Sequence, residues 1–282
     1  MGVLFECHTA DLLFHHTRGA LESAGYAMHD MHELYYFARG QGRYFVEGNA
    51  YTLSAGCVLL IRAGESHYPR FSPDFPYERL VIHISPPLLA AFDSGGQLAA
   101  PFLNRPLGQK NLYTPQTLNG GAAQECLKTL CAALDPDFES DADKRLFILC
   151  HLPPLLYGLR RCFLGGETQE PAEYGNLIGR VTAYINEHLT EPFGLETLTE
   201  RFYISKAVLN RQFKKVTGQT VWQYTLLKRL FLARRRILEG VSPTNAALEC
   251  GWKDYSAFYR QHKARFGFAP NALRGTQLKI ED

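Results

Sequence analysis

Within its last hundred residues the chain repeats one supersecondary plan, the second copy beginning about 49 residues after the first: a short helix with an apolar stripe, a turn, and a capped helix with a basic outer face. In the first copy Leu195, Leu198 and Phe202 share one side of a short helix, Tyr203-Ile204 turns the chain, and Ser205 caps the stretch SKAVLNRQFKKVTG. That helix should bury Leu209, Phe213 and Val216 and show Lys206, Asn210, Arg211, Lys214 and Lys215. In the second copy Ser242-Pro243 opens TNAALEC, Gly251-Trp252 turns, and Asp254 caps YSAFYRQHKARFG. Phe258 and Phe266 point inward there, and Tyr255, Ser256, Tyr259, Arg260 and Lys263 outward. A helix carrying Leu177, Val181, Tyr184, Ile185 and Leu189 precedes the pair. A long helix over 221–238, with the clusters Lys228-Arg229 and Arg234-Arg235-Arg236, joins them.

A major groove admits one helix; Arg and Asn form paired hydrogen bonds to base edges, and Lys holds phosphates. The plain alternative for either copy alone is a solvated charged face, and duplication weighs against it. Charge agrees with a polyanionic partner: residues 175–282 carry +8 and residues 1–174 carry −6, although the whole chain is only +2. Asn210, Arg211, Ser256 and Arg260 are the expected base contacts; Lys206, Lys214 and Lys263 the phosphate contacts; Tyr255 completes the DNA-facing set.

Upstream the period is two. Strands are predicted at 33–37, 42–46, 50–53, 58–61 and 77–84, rich in Tyr, Phe, Val and Ile and separated by glycines. That spacing suggests an antiparallel sandwich or barrel. From about residue 118 the period lengthens: helices are expected over 122–134 and 144–163, with Pro153-Pro154 kinking or breaking the second. The polar stretch 165–175 reads as a linker. The seven cysteines are scattered without a CxxC pair and read as reduced thiols, mostly small core residues. No run of about 18 uncharged apolar residues occurs, and the first residues lack a basic head with an apolar stretch, so neither a membrane span nor a secretory signal is expected.

Residues from about 177 to 274 resemble the DNA-binding domain of AraC/XylS-type transcriptional regulators. The resemblance rests on Leu195 to Phe202 with Ser205, Leu209, Phe213-Lys214-Lys215, Gly218, Ala233 and Leu238. It continues through Ala247, Gly251-Trp252, Asp254, Ser256, Phe258, Arg260, Lys263, Phe266-Gly267, Pro270 and Arg274. Pro243, Ala246, His262 and Leu273 depart from the family pattern; smaller side chains there imply a less tightly packed second copy.

The segment from Met28 to Phe71 resembles the family's cupin-like sensor domain, on His29, His32-Glu33, Gly40, Gly48, Tyr51, Gly56, Gly64 and His67. The resemblance implies a ligand held in the interior, with His29, His32, Glu33, Tyr44, Arg62 and His67 as candidate effector contacts. A cupin metal would need imidazoles and a carboxylate converging from adjacent strands. Alternation counts against one, because His29, Met31 and Glu33 share a face and His32 takes the other. A structural or hydrogen-bonding role is the first reading of these histidines, ligand contact the second and metal the third; Arg62 reads first as solvent-facing.

The expected architecture is thus α+β and multidomain: a cupin-like β-barrel sensor over 1–117, a helical dimerisation segment over 118–164, a linker over 165–175 and an all-α tandem helix-turn-helix over 176–282. Leu127, Leu130, Leu134, Leu146, Leu149 and Leu156 are the apolar residues expected at a two-fold interface, and an intramolecular core would use the same ones. The expected function is a cytoplasmic, sequence-specific transcription regulator, not an enzyme, without metal or cofactor. Its expected partners are double-stranded promoter DNA, a small effector with a carbohydrate as the first choice, a second copy of the chain, and RNA polymerase. The competing reading is a metal-dependent cupin enzyme with an appended DNA-binding domain; a purely architectural nucleic-acid binder is the third.

Overall fold

The structure, a computed structural model, describes residues 2–19, 25–72, 75–172 and 176–275. Residues 173–175 of the expected linker and the side chain of Arg274 lie outside them. The chain divides into two compact units, Met1–Asn176 and Leu177–Asp282. No described helix is long and apolar enough to cross a membrane.

The described residues of unit 1 hold nine strands in two antiparallel sheets. They are β1 (Gly2–His8), β2 (Leu12–Arg18), β3 (His32–Arg39), β4 (Gly42–Val46), β5 (Asn49–Leu53), β6 (Cys57–Ile61), β7 (His67–Phe71), β8 (Glu78–Ile84) and β9 (Leu112–Tyr113). One sheet has the order β1-β2-β8-β3-β6-β9, the other β5-β4-β7. Glu47 and Gly48, with φ of 51° and 79°, make the two-residue turn between β4 and β5. Four strands escape the sequence reading: β1, β2, β7 and the two-residue β9. β1 and β2 are joined by Thr9-Ala10-Asp11 with no glycine between them, and β7 contains Pro69, which the edge position of that strand tolerates.

Alternation assigns each face of the larger sheet its own core. Tyr35, Phe37, Leu59, Ile61 and Val81 meet Tyr44, Val46, Tyr51 and Leu53 of the smaller sheet. Leu34, Val58, Leu60, Leu80, Ile82 and Ile84 point the other way, onto helices. A strand covered on both sides reads as an unbroken apolar run, which is why all five residues of β6 are buried.

The helices of this unit are α1 (Pro86–Phe92), α2 (Ala100–Leu103), α3 (Pro115–Leu118), α4 (Ala122–Ala132) and α5 (Asp141–Leu164). Gly158 lets α4 and α5 approach closely: a Cβ there would lie 2.8 Å from that of Ala123. The break expected at Pro153-Pro154 does not occur, since α5 runs for 24 residues. Pro154 and Cys150 lie on its exposed side, where a carbonyl freed by the missing N–H reaches water, while Leu152, Leu155, Leu156 and Leu159 anchor the buried flank.

Three of the leucines expected at a dimer interface are instead in this unit's own core: Leu127, Leu130 and Leu156. The outer face of the larger sheet needs apolar cover, and α4 and α5 supply it. Leu149 packs against the same core, whereas Leu134 and Leu146 are exposed. The expected linker is partly docked as well. Gln169 N donates to Leu112 O at 2.9 Å and Ala172 N to Ala50 O at 2.8 Å. Of the seven free thiols, Cys7, Cys57 and Cys250 are buried, Cys126, Cys131 and Cys162 half-buried, and Cys150 exposed.

The described residues of unit 2 form helices and no strand: α6 (Leu177–Glu187), α7 (Leu195–Phe202), α8 (Lys206–Thr217), α9 (Val221–Leu238), α10 (Pro243–Glu249) and α11 (Tyr255–Phe266), followed by a 3₁₀ turn over Pro270–Gly275. α6 packs on α7 and α8, and α9 packs on α8, α10 and α11.

Candidate effector site and nucleic-acid interface

Between the sheets of unit 1 the register sets Glu33 opposite His83, Tyr35 opposite Val81 and Phe37 opposite Arg79. These six residues therefore share the inner face of β3 and β8. Glu33 is the centre of a polar cluster. Its Oε2 lies 3.0 Å from His29 Nε2, 3.1 Å from His83 Nε2 and 3.2 Å from His67 Nε2, and its Oε1 accepts from Tyr44 Oη at 3.3 Å. Burial opposes the Glu33 charge, yet His67, backed by hydrogen bonds from the three rings, holds the carboxyl well below its ordinary value. Burial pushes His29 down; in His67 the nearby Glu33 carboxylate outweighs burial and leaves the ring raised. Deeper in, the hydroxyls of Tyr35 and Tyr77 are hydrogen-bonded to each other, and Arg79 lies about 6 Å from both rings. Arg79 Nε is buried with no hydrogen-bond partner.

His32 and Arg62 are not brought to this cluster. His32 sits on the opposite face of β3, where its Nδ1 accepts from Ala63 N at 3.2 Å and its ring packs on Phe102; burial, with Arg62 alongside, lowers it to about 4. Arg62 Nε donates to Phe102 O at 2.8 Å, and its guanidinium also reaches Arg105 O. It braces the loop after α2 and is neither solvent-facing nor aimed at the interior. His83 and Arg79 were missed from sequence because each looked like one more residue of a core strand. Alternation with Val81 would have placed both inward had the register with β3 been known.

In unit 2 the two capped helices have the same length, and their residues correspond at an offset of 49: Ser205 with Asp254, Leu209 with Phe258, Arg211 with Arg260, Phe213 with His262, Lys214 with Lys263, Gly218 with Gly267. Ser205 accepts from Val208 N, and Asp254 from Ser256 N and Ala257 N, so both helices begin on side-chain caps. Both end on a left-handed glycine, with φ of 77° and 81°. Helical geometry puts Arg211 opposite buried Leu209, Phe213 and Thr217, and Arg260 opposite buried Phe258 and His262. Arg211, Lys214, Ser256, Arg260 and Lys263 are exposed, and Asn210 and Tyr255 half-buried. Lys206 is exposed but ion-paired with Glu196.

The basic cluster of α9 is largely turned to other work. Lys228 and Arg229 are buried. Arg229 donates to Leu189 O at 2.7 Å, Glu191 O at 2.8 Å and Gly251 O at 2.9 Å, which ties the loop after α6 to the turn of the second copy. A Cβ on Gly251 would meet that guanidinium at 2.9 Å, and its φ is 80°, so only glycine fits. Arg234 lies over the rings of Phe266 and Phe268, and Arg236 pairs with Glu249 and Glu239.

A model described as an AraC-like ligand binding domain matches residues 9–155, more than half of the chain, and one described as a helix-turn-helix domain matches 198–276. The chain belongs to the AraC family. Like the family, it is a DNA-binding transcription regulator with an effector-binding N-terminal domain. The HTH-type transcriptional activator RhaS of Escherichia fergusonii is 26% identical over 248 residues, 87% of this chain and 86% of that one. RhaS of Yersinia pestis strain Pestoides F is 26% identical over 247 residues, 87% of each chain. Among solved structures, wild-type ToxT from Vibrio cholerae bound to an unsaturated fatty acid is 12% identical with a TM-score of 0.39, covering 97% of this chain and 98% of that one.

Within this AraC-family reading head, His262 stands where the first copy has Phe213. Its Nδ1 donates to Phe268 O at 3.1 Å, its Nε2 is buried without a partner, and burial lowers its pKa. A base whose folded pKa lies below its unfolded value of 6.5 binds more protons unfolded. Its contribution to stability is therefore complete above pH 6.5 and is lost as pH falls toward the depressed folded value. Unit 2 is expected to melt at progressively lower temperature below pH 6.5, and His262→Phe to flatten that slope; an identical slope in the variant would rule the group out as its source.

Proposed function

We propose that α8 and α11 read successive stretches of promoter DNA, with Asn210, Arg211, Ser256 and Arg260 on base edges and Lys206, Lys214 and Lys263 on phosphates, Tyr255 flanking them. The observation that carries this is the equivalence of Arg211 and Arg260, each on the exposed side of a capped helix and each opposite that helix's buried residues. Selection from a randomised duplex library by the intact protein is the test. Enrichment of two short motifs separated by a fixed spacing is expected, and recovery of unselected sequence would reject the reading in favour of an architectural binder.

The cupin-like interior of unit 1 would take the effector. Tyr35, Tyr44 and Tyr77 offer faces for a sugar ring, and Arg79, Glu33 and the histidines offer hydrogen bonds for its hydroxyls. A carbohydrate is the first choice, and a thermal-shift screen of sugars and small acids tests it, because a ligand of the native state raises the melting temperature by mass action. Regulation requires that this ligand bind two arrangements of the protein with different affinity.

Pairing with a second copy is supported by α5. Leu146, Tyr157 and Leu164 are 61%, 52% and 61% exposed, and their spacing of eleven and seven residues sets them on one face. Sedimentation of the intact protein is expected to show a dimer that Tyr157→Glu with Leu164→Glu converts to monomer; an unchanged mass would refute pairing through this helix. Action on promoters also fits a cytoplasmic regulator that works with RNA polymerase and is not an enzyme.

A further inference from the structure

Of the six residues that share the inner face of β3 and β8, Glu33 and Arg79 carry full charge, and the chain answers only the first. Glu33 has the imidazoles of His29, His83 and His67 around its Oε2 at 3.0, 3.1 and 3.2 Å. Arg79 stands four residues from His83 along β8, about 13 Å at strand spacing, and so at the other end of this face. Among the described residues no carboxylate pairs with its guanidinium, and its Nε is buried with no hydrogen-bond partner. The groups beside it are phenols: Cζ lies 6.0 Å from the Tyr35 ring centroid and 5.9 Å from that of Tyr77. Burial raises both phenols, so neither supplies negative charge. A cationic donor left unpaired away from water is costly. The chain avoids that cost at Arg105, whose buried guanidinium is met by Glu65 at 2.7 and 2.8 Å.

We propose that the effector of unit 1 is a small carboxylic acid whose carboxylate pairs with Arg79 and whose body lies against Tyr35, Phe71 and Tyr77. The inference deepens the reading of unit 1 as the effector module and rests on it. Nε–H and Nη–H of a guanidinium form a fork that matches the two oxygens of one carboxylate. A phosphate dianion calls for further positive charge, and besides the imidazoles held by Glu33 the inner face of β3 and β8 offers none. A neutral sugar brings hydrogen bonds only and leaves the guanidinium without a counter-ion. Arg79 is half-buried, so the pair forms partly sheltered from water, where a charge-assisted bond gains strength. The walls suit a flat body: the ring centroids of Phe71 and Tyr77 are 4.6 Å apart and those of Phe71 and Phe37 5.2 Å. Sugar acids and aromatic acids share this chemistry, and paired probes separate them.

The intact protein is tested by thermal shift and calorimetry against glucuronate beside glucose, gluconate beside sorbitol, and benzoate beside benzamide. At least one acid is expected to bind, with its neutral partner about ten to a hundredfold weaker. Arg79→Gln is expected to erase that difference. Without ligand, Arg79→Met and Arg79→Gln are expected to melt no lower than the parent, because an unpaired charge leaves the interior. A guanidinium that only braces Tyr35 and Tyr77 predicts the reverse, so a lower melting temperature or a lost fold in both variants overturns the proposal. A neutral partner bound as tightly as its acid, or acid binding untouched by Arg79→Gln, also overturns it and leaves the effector reading standing. If no acid binds, the proposal falls; the effector reading falls with it only when no neutral sugar binds either.

Discussion

Replacing Arg105 with methionine is expected to remove about 3–5 kcal/mol from the stability of unit 1, a large part of the roughly 5–15 kcal/mol typical of a domain. Arg105 and Glu65 both have fully buried side chains, joined by two bonds of 2.7 and 2.8 Å. The guanidinium also donates to Leu60 O at 3.0 Å and Pro101 O at 3.0 Å, and Glu65 accepts from Arg62 N at 2.7 Å and Gly108 N at 2.8 Å. The pair thus fastens the segment after α2 to the end of β6. Burial alone would raise the Glu65 carboxyl, but Arg105 holds it down to about 2; once the guanidinium is gone, only neutral N–H donors such as those of Arg62 and Gly108 oppose burial, and the carboxyl is left either charged without a counter-ion or protonated at a cost. An uncompensated buried carboxylate is the source of the large penalty, and Arg105→Met with Glu65→Gln should recover part of it. Chemical denaturation of the single and double variants measures both effects. Lys128→Met, which breaks an exposed pair with Glu125, should scarcely move the midpoint. A loss below about 1 kcal/mol for Arg105→Met would show that water reaches Glu65.

How far the sequence carried depends on whether a feature is local. Caps, turns and apolar stripes within a dozen residues specify α7 to α11 almost completely, because Ser205, Asp254, Gly218 and Gly267 each act on the helix they adjoin. Strands β3, β4, β5, β6 and β8 were visible for the same reason. Which residues meet across a sheet is not local. Alternation correctly separated His32 from His29 and Glu33, yet the partnership of Glu33 with His83, fifty residues downstream, needs the β3–β8 register. The fates of Arg62, Arg105 and Arg229 were hidden similarly, since each side chain is claimed by partners far along the chain: Arg62 by Phe102 O, Arg105 by Glu65 and Leu60 O, Arg229 by Leu189 O. Residue type identified these groups as charged, and only the fold decides which charges face water. The leucines of α4 and α5 make the same point: helical spacing shows that they share a face, and the sheet beneath determines that Leu127, Leu130 and Leu156 point inward.

Loss of either reading arginine is expected to lower operator affinity by about 1–3 kcal/mol, and loss of both by about the sum, on the order of 2–6 kcal/mol. Additivity follows from the architecture. Arg211 and Arg260 sit on separate helices joined by α9, whose 18 residues span about 27 Å, so neither side chain can compensate for the other at the same base. Each substitution should also relax preference at one base step of its own motif, leaving the other motif as strict as before. Lys214→Ala should behave differently, weakening binding to all sequences alike and reducing the dependence of affinity on salt. Equilibrium binding of Arg211→Ala, Arg260→Ala, the double variant and Lys214→Ala, each to matched and mismatched duplexes across a salt series, separates these effects. Rigid coupling of the two copies through Arg229 makes the comparison sensitive. If the arms between the heads were loose, the second head would contribute little once the first was seated, and Arg260→Ala would be nearly silent. A silent Arg260→Ala beside a damaging Arg211→Ala would therefore mean that α11 serves another surface and that only one helix reads the groove.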